Sequence, residues 1–575
     1  MTTTRHPAHP ARPTRHSARP TRHPARPTKL RPTKLRPTKL RPTLRSLLVV
    51  AACGPLLAAA CSSSSKSSTT GTGASPTTAG SGVTAPAVVN IGYTADMQVP
   101  DPDIFYELEG NSVMTSVYEG LVAYANNSTQ IIPALAQSFE TSADGLTYTF
   151  HLRPNVTFHD GTTMTASDAK ASFMRRTSVA SAPSYMLGNV TSYDTPDPLT
   201  FVIHLNMPVA PFMDYLAAPY GPKVSSAAIL TAHAGSDMTQ SYLKTHDAGT
   251  GPFTMSDFVP GDHYTLAAHP TYWGGKPAVS QIKITILPDL STQQLKLQSG
   301  DLQMILHGLA KNDIASYEGN KKFQVQRFPA HLKNWLLVNQ NKGIFKSLPL
   351  RNALQQAINK QQIVNDVYGK DATVSTQIYP AGELPEGMAA DTPKYDPSVL
   401  ANAVKGLANK TVDVAYTSDD ARNQRVAELI QTELQAAGLN STVRAMPLNV
   451  AFALPQNAGQ APDLLLTTLN PDASHPDTWV RIFTHTADNT NGALNWLLCS
   501  VPAADQAMDQ GVHLTVASEI QAAYAKAGDA LVANGCFDTI ADVKDVVVAQ
   551  AGYGNWMHQL PTVFSVEFGK LTLHS

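Results

Sequence analysis

The chain has 575 residues, of which 43% are hydrophobic and 15% charged, and its formal net charge is −1. That length exceeds one ordinary core and predicts two or more domains. The near-neutral balance conceals an asymmetry. Residues 1–45 are rich in Arg, Lys and Pro, and without them the remainder is acidic, which argues against nucleic acid as a partner.

The basic stretch is a near-repeat, ARPTRHPARPTKLRPTKLRPTKLRPTLR. Proline every few residues forbids a helix, and there is almost no apolar material to bury. It reads as an overlong n-region of a signal sequence; a nucleic-acid-binding arm is the competing reading. LRSLLVVAACGPLLAAACSSSSKSS follows at 44–68. Its apolar run, Leu47 to Ala60, has the length of a signal h-region and is too short for a comfortable membrane span. Ala58, Ala59 and Ala60 precede Cys61, an arrangement that resembles the lipobox of bacterial lipoproteins. Cys53 also follows two alanines, but few apolar residues precede it. The expectation is a signal peptide over 1–60, lipidation at Cys61 and a Ser/Thr/Gly-rich tether over 61–86.

The folded part opens on a predicted strand at 87–93, and 111–124 reads as a helix. In DGLTYTFHLRPNVTFHDG (144–161), Leu146, Tyr148, Phe150 and Leu152 alternate with polar residues, the period of a half-buried strand. Asp144-Gly145 is a hairpin turn signal and 137–141 a fitting partner strand. Thr165 with Asp168 three residues on resembles a capping box at a helix start. His151 and His159 read as surface histidines on this meander, not as catalytic groups. Residues 249–277 show short strands broken by Gly and Pro, 281–289 a strand, and 291–301 a helix ended by Gly300.

The rhythm then changes. Strand patterns at 411–417, 441–446 and 462–469 flank a helix at 421–438 marked by Val426, Leu429, Ile430 and Leu434. That is a βαβ-type unit. A β-richer first part and an α/β second part favour a ligand cleft between two lobes. No G-x-S-x-G, H-E-x-x-H, Walker or G-x-G-x-x-G motif occurs, so neither an enzyme nor a cofactor is expected. Two cysteines remain after the signal region, Cys499 and Cys536. An exported chain permits a disulfide between them; two free buried thiols are the alternative.

PALAQSFETSADGLTYTFHLRPNVTFHDGTTMTASDAKASFMRR (133–176) resembles the signature region of the extracytoplasmic solute-binding proteins of ABC importers, family 5 (oligopeptide, dipeptide and nickel binding). GTGPF (249–253), HPTYWGGKP (269–277), LQSGDL (297–302) and LRNALQQAINKQQIV (350–364) match the family pattern in order. The resemblance implies an α/β, two-lobed periplasmic-binding-protein-like clamshell with hinge segments and an interlobe cleft. Lobe I is expected over 87–308, with 538–575 returning to it, and lobe II over 309–537. The chain is expected to cross between lobes near 305–311 and 535–545. Peptide ligands of the family lie extended, their main chain hydrogen-bonded as in strand addition.

By the same resemblance, the aspartate that accepts a peptide's α-ammonium falls at Asp472 in LNPDASHPDTW (469–479), with Ser474 and His475 beside it. An ammonium desolvated in a closed cleft needs an opposite charge and acceptors. The sequence departs from the pattern in three places. Leu469 stands where an aromatic is usual, His475-Pro476 replaces an acid-Pro step, and the dipeptide binders' carboxylate-gripping arginine meets Asp419 and Asp420 in YTSDDARNQR (416–425), where Arg422 and Arg425 read as helix residues. A peptide longer than two residues is therefore expected. Tyr106, Glu109, Trp335 and Trp496 are further candidates for the cleft wall. His475 with Asp472 and Asp477 is too short a cluster for a metal site. The partners implied are an ABC permease and ATPase, the membrane through the lipid, and no second copy of the chain (a monomer). A haem, metal-chelate or oligosaccharide cargo, or a ligand-sensing lipoprotein, is the alternative.

Overall fold

The computed structural model describes residues 87–97, 99–486 and 494–574. The expected signal peptide, Cys61 and the tether lie outside the described residues. In Thr147–Leu152, Tyr148, Phe150 and Leu152 are buried and the alternate residues half-buried. Its partner is Ala136–Thr141, antiparallel, and the strands at 200–205 and 190–197 complete a four-stranded sheet. The hairpin closes at Gly145, whose φ of 69° suits glycine, while Asp144 accepts from Ser142 Oγ at 2.5 Å and Leu146 N–H at 3.1 Å. The helix Ala166–Val179 begins as its capping residues predict: the Asp168 carboxylate accepts both the Thr165 N–H and its hydroxyl at 2.8 Å.

Two expectations need correction here. The helix expected over 111–124 ends at Val117, and Val122–Tyr124 is a strand. The backbone beyond Val117 bonds to other segments instead: Gly251 N–H donates to Val117 O and Val224 N–H to Glu119 O, each at 3.0 Å. His159 is not a surface residue. Its side chain is 5% exposed, hydrogen-bonded to Asp247 and, at 3.0 Å, to the Gly251 carbonyl. Only the tertiary approach of 247–251 creates that environment.

Apart from the two-stranded pairs 122–124 with 131–133 and 553–554 with 572–573, a second sheet, of 11 strands, draws on segments from 88–93 to 537–550. Its order is 440–446, 411–417, 464–469, 323–338, 537–550, 304–305, 88–93, 281–286, 263–268, 253–259, with 372–374 added on 537–550. The strands 411–417, 440–446 and 464–469 are parallel, with the helix Ala421–Ala436 as crossover. This half is covered on both faces. Leu332, Leu336 and Val338 pack on the helices 348–357 and 421–436. Trp335 and Leu337 pack on 476–484, 502–511 and 517–534. Double burial explains why NWLLVN reads as a continuous apolar run rather than an alternation.

The long strands Phe323–Val338 and Phe537–Gln550 connect the two halves. Phe323–Phe328 pairs with Asp545–Gln550, the register breaks, and Leu332–Leu337 pairs with Phe537–Val543. Inside the break, His331 N–H turns to Leu560 O at 2.9 Å, and Phe328 stacks on His558. This register break lies beyond the 305–311 stretch where the first crossing was expected. Residues 309–325 stay with the first half because Leu309, Ile314, Tyr317 and Phe323 pack around Leu297, Ile305 and Val548. The Cys499 and Cys536 sulfurs are joined, with their Cα atoms 5.8 Å apart, at the edge of the core beneath 476–484.

Candidate functional site

The loop 470–475 leaves the carboxyl end of the parallel strand Leu464–Leu469, the position where α/β sheets place ligands. Pro476 fixes the first turn of the following helix, and His475 caps it: its Nδ1 accepts the Asp477 N–H at 3.1 Å. Burial pushes His475 down to about 4, so the ring is neutral and free to accept. Asp477 is spoken for by Arg481 at 2.9 Å and by the Tyr524 hydroxyl at 2.5 Å. Among the described residues no cluster of His, Cys, Asp and Glu has the make-up of a metal cage.

Asp472 is 5% exposed. Its Oδ2 accepts two hydroxyls from the N-terminal part of the chain, Tyr106 at 2.5 Å and Tyr185 at 2.6 Å. Tyr106 meets Tyr220 edge-on at 5.0 Å and Tyr185 meets Tyr215 at 5.5 Å, so four tyrosines form one wall opposite the loop. No cation pairs with Asp472 among the described residues, and burial raises its pKa despite the two donors. Ser474 N–H donates to the Tyr124 oxygen at 2.9 Å, and that hydroxyl donates to Asp214 Oδ1 at 3.0 Å. Ser474 Oγ lies 3.4 Å from His331 Nδ1.

The other expected residues divide. Tyr106 joins Asp472 directly. Glu109 does not: it accepts from Thr94 and pairs with His307 Nε2 at 2.9 Å. Trp335 and Trp496 are core, not cleft wall. Trp335 is fully buried against Trp479, Phe483 and Phe537, because its face of the strand packs on the helix 476–484. Trp496 is 1% exposed and packs edge-on against Phe452. Arg422 sits in the first turn of its helix, held by Asp420 through Nε at 2.9 Å and Nη2 at 2.8 Å. Tyr185, Tyr124, Asp214, His331 and Glu383 carry no local pattern that marks them; they meet only because distant segments converge.

Residues 130–491 match the family model "Bacterial extracellular solute-binding proteins, family 5 Middle". The chain belongs to this family. It is 29% identical over 302 residues to the "Probable D,D-dipeptide-binding periplasmic protein DdpA" of Escherichia coli, covering 52% of this chain and 57% of that protein. It is 25% identical over 498 residues to the peptide transport periplasmic protein SapA of Haemophilus influenzae, covering 77% and 85%. The chain spans less than two thirds of DdpA. Among solved structures, NikA from Brucella suis with Fe(III)-EDTA has a TM-score of 0.74 at 20% identity, covering 84% of this chain and 99% of that one. DppA from Helicobacter pylori with the peptide STSA has 0.72 at 22%, covering 85% and 98%. The family-5 solute-binding protein thus has the two-lobed α/β fold of these structures.

Proposed function

We propose that this family-5 protein is the extracytoplasmic binding component of an ABC importer, holding peptides longer than two residues between its lobes and passing them to a permease unaltered. The observation that carries the reading is Asp472: a buried carboxyl group at the carboxyl end of a parallel strand, met by the hydroxyls of Tyr106 and Tyr185 and by no cation among the described residues. An α-ammonium supplies the missing charge. The tyrosines act as the remaining donors, and the breaks at 328–332 and 543–545 are the hinge about which the lobes close. The peptide names of DdpA and SapA support the cargo class. The Asp420–Arg422 pair supports the length: that guanidinium is already neutralised and does not offer a dipeptide's carboxylate a free clamp.

Asp472→Ala tests it. Losing one partner of a buried charge pair typically costs about 2–5 kcal/mol. Calorimetric titration should therefore show peptides with free N-termini weakened far more than their N-acetylated forms. Native mass spectrometry of the purified protein identifies retained cargo for that titration. A co-purified haem, metal chelate or sugar, together with failure of free and acetylated peptides to bind, would leave the fold and discard the peptide cargo.

A further inference from the structure

Two residues past Asp472, Ser474 leads into a second group of ionisable side chains. His331, inside the register break, lies 3.4 Å from Ser474 Oγ and 3.3 Å from Glu383 Oε1. Tyr124, which takes the Ser474 N–H, donates to Asp214. The segments that meet here are the strand 122–124, the helix 212–217, the loops holding Glu383 and Ser474, and the break itself. Glu383 is 7% exposed, and neither of its carboxylate oxygens has a hydrogen-bond partner among the described residues; the same is true of His331 Nε2.

The charge balance is one-sided. Glu383 and Asp472 are buried acids, and Asp214 beside them is half-buried. His331 is pulled down by burial to about 3 and contributes no positive charge. Lys333 is close enough to act on Glu383 but is bound to Asp542, to Ser375 Oγ at 2.6 Å and to the Gln377 carbonyl at 3.1 Å. Burial, then Asp214, hold Glu383 well above the usual carboxylate range, and burial raises Asp214 to about 7. Glu383 is therefore held protonated, and a cation brought beside it would offset the cost of its ionisation.

We infer that Glu383, flanked by Asp214 and His331, is a second cation subsite of the same cleft, selecting peptides that carry a lysine or arginine side chain beside a free N-terminus. This rests on the peptide reading above. Three tripeptides, each alanine except for one lysine at position one, two or three, are titrated against counterparts with norleucine in the lysine's place. At one position at least, lysine should bind about tenfold tighter or more, the scale of a buried charge pair. Glu383→Gln should bring that ratio close to one, and Asp214→Asn should lower it. If Glu383→Gln does not fold, the comparison of lysine with Nε-acetyl-lysine on the unmodified protein still decides: equal affinity overturns the subsite. Equal binding of lysine and norleucine peptides at every position overturns it too, as does a preference that persists in folded Glu383→Gln. If no tripeptide of either kind binds, the peptide reading falls and the subsite with it.

Discussion

At the residue scale, burial decides which ionisable groups hold fixed roles. His475 is neutral because burial outweighs Asp477, and so it accepts a backbone N–H. His307 behaves oppositely. Burial pulls it down, but the Glu109 carboxylate at 2.9 Å outweighs burial and leaves its pKa raised, while Glu109 is lowered. A raised histidine adds stability that is complete below its unfolded value, near about 6.5, and is lost as pH rises through the folded value. The lowered Glu109 adds stability present above its unfolded value and lost as pH falls through the folded one. The pair therefore contributes most between Glu109's depressed value and His307's raised one. Thermal unfolding of His307→Gln against the unmodified protein should show a Tm gap that narrows as pH climbs from neutral into the alkaline range. A gap that stays constant or widens there contradicts the pairing.

At the element scale, the loop-to-helix junction 470–484 depends on what lies beneath it. The helix carries Trp479, Val480 and Phe483 into a core that also holds Cys499 and Cys536, whose sequence separation is 37. On a chain-entropy account, closing a loop of that length stabilises the fold by roughly 3–4 kcal/mol. Changing both cysteines to alanine should lower the denaturation midpoint accordingly, and reduction should do nothing further to the variant. Mass spectrometry of a non-reduced digest checks the link itself: two alkylatable thiols would remove the bridge.

At the scale of the whole molecule, what the chain does depends on where it is held. We propose that the precursor is cut before Cys61, lipidated there and tethered outside the cell by 61–86, leaving the clamshell free to meet a permease. No helix of the described residues is long and apolar enough to cross a membrane. Cys61→Ser should move the protein from the membrane fraction to the medium. Retention by Cys61→Ser, with release by Cys53→Ser, would shift the modification to the earlier cysteine.

Some of this was determined by sequence alone. Period-two alternation announces Thr147–Leu152, capping residues announce Ala166–Val179, and strand and helix periods announce the βαβ unit at 411–446, because each depends on neighbours a few residues away. The family resemblance reached further and named Asp472, whose surroundings it does not describe, while Tyr106 was a candidate only as an aromatic with a polar edge. Tertiary structure decided the rest. It turned Trp335 and Trp496 into core and buried His159 against Asp247. It broke the pairing of the two long strands at 328–332 and assembled Tyr185, Tyr124, Asp214, His331 and Glu383 around one loop. The physical reason is the same in each case. Burial and electrostatic partnership are set by segments far apart in sequence, and no local periodicity records which of them will meet.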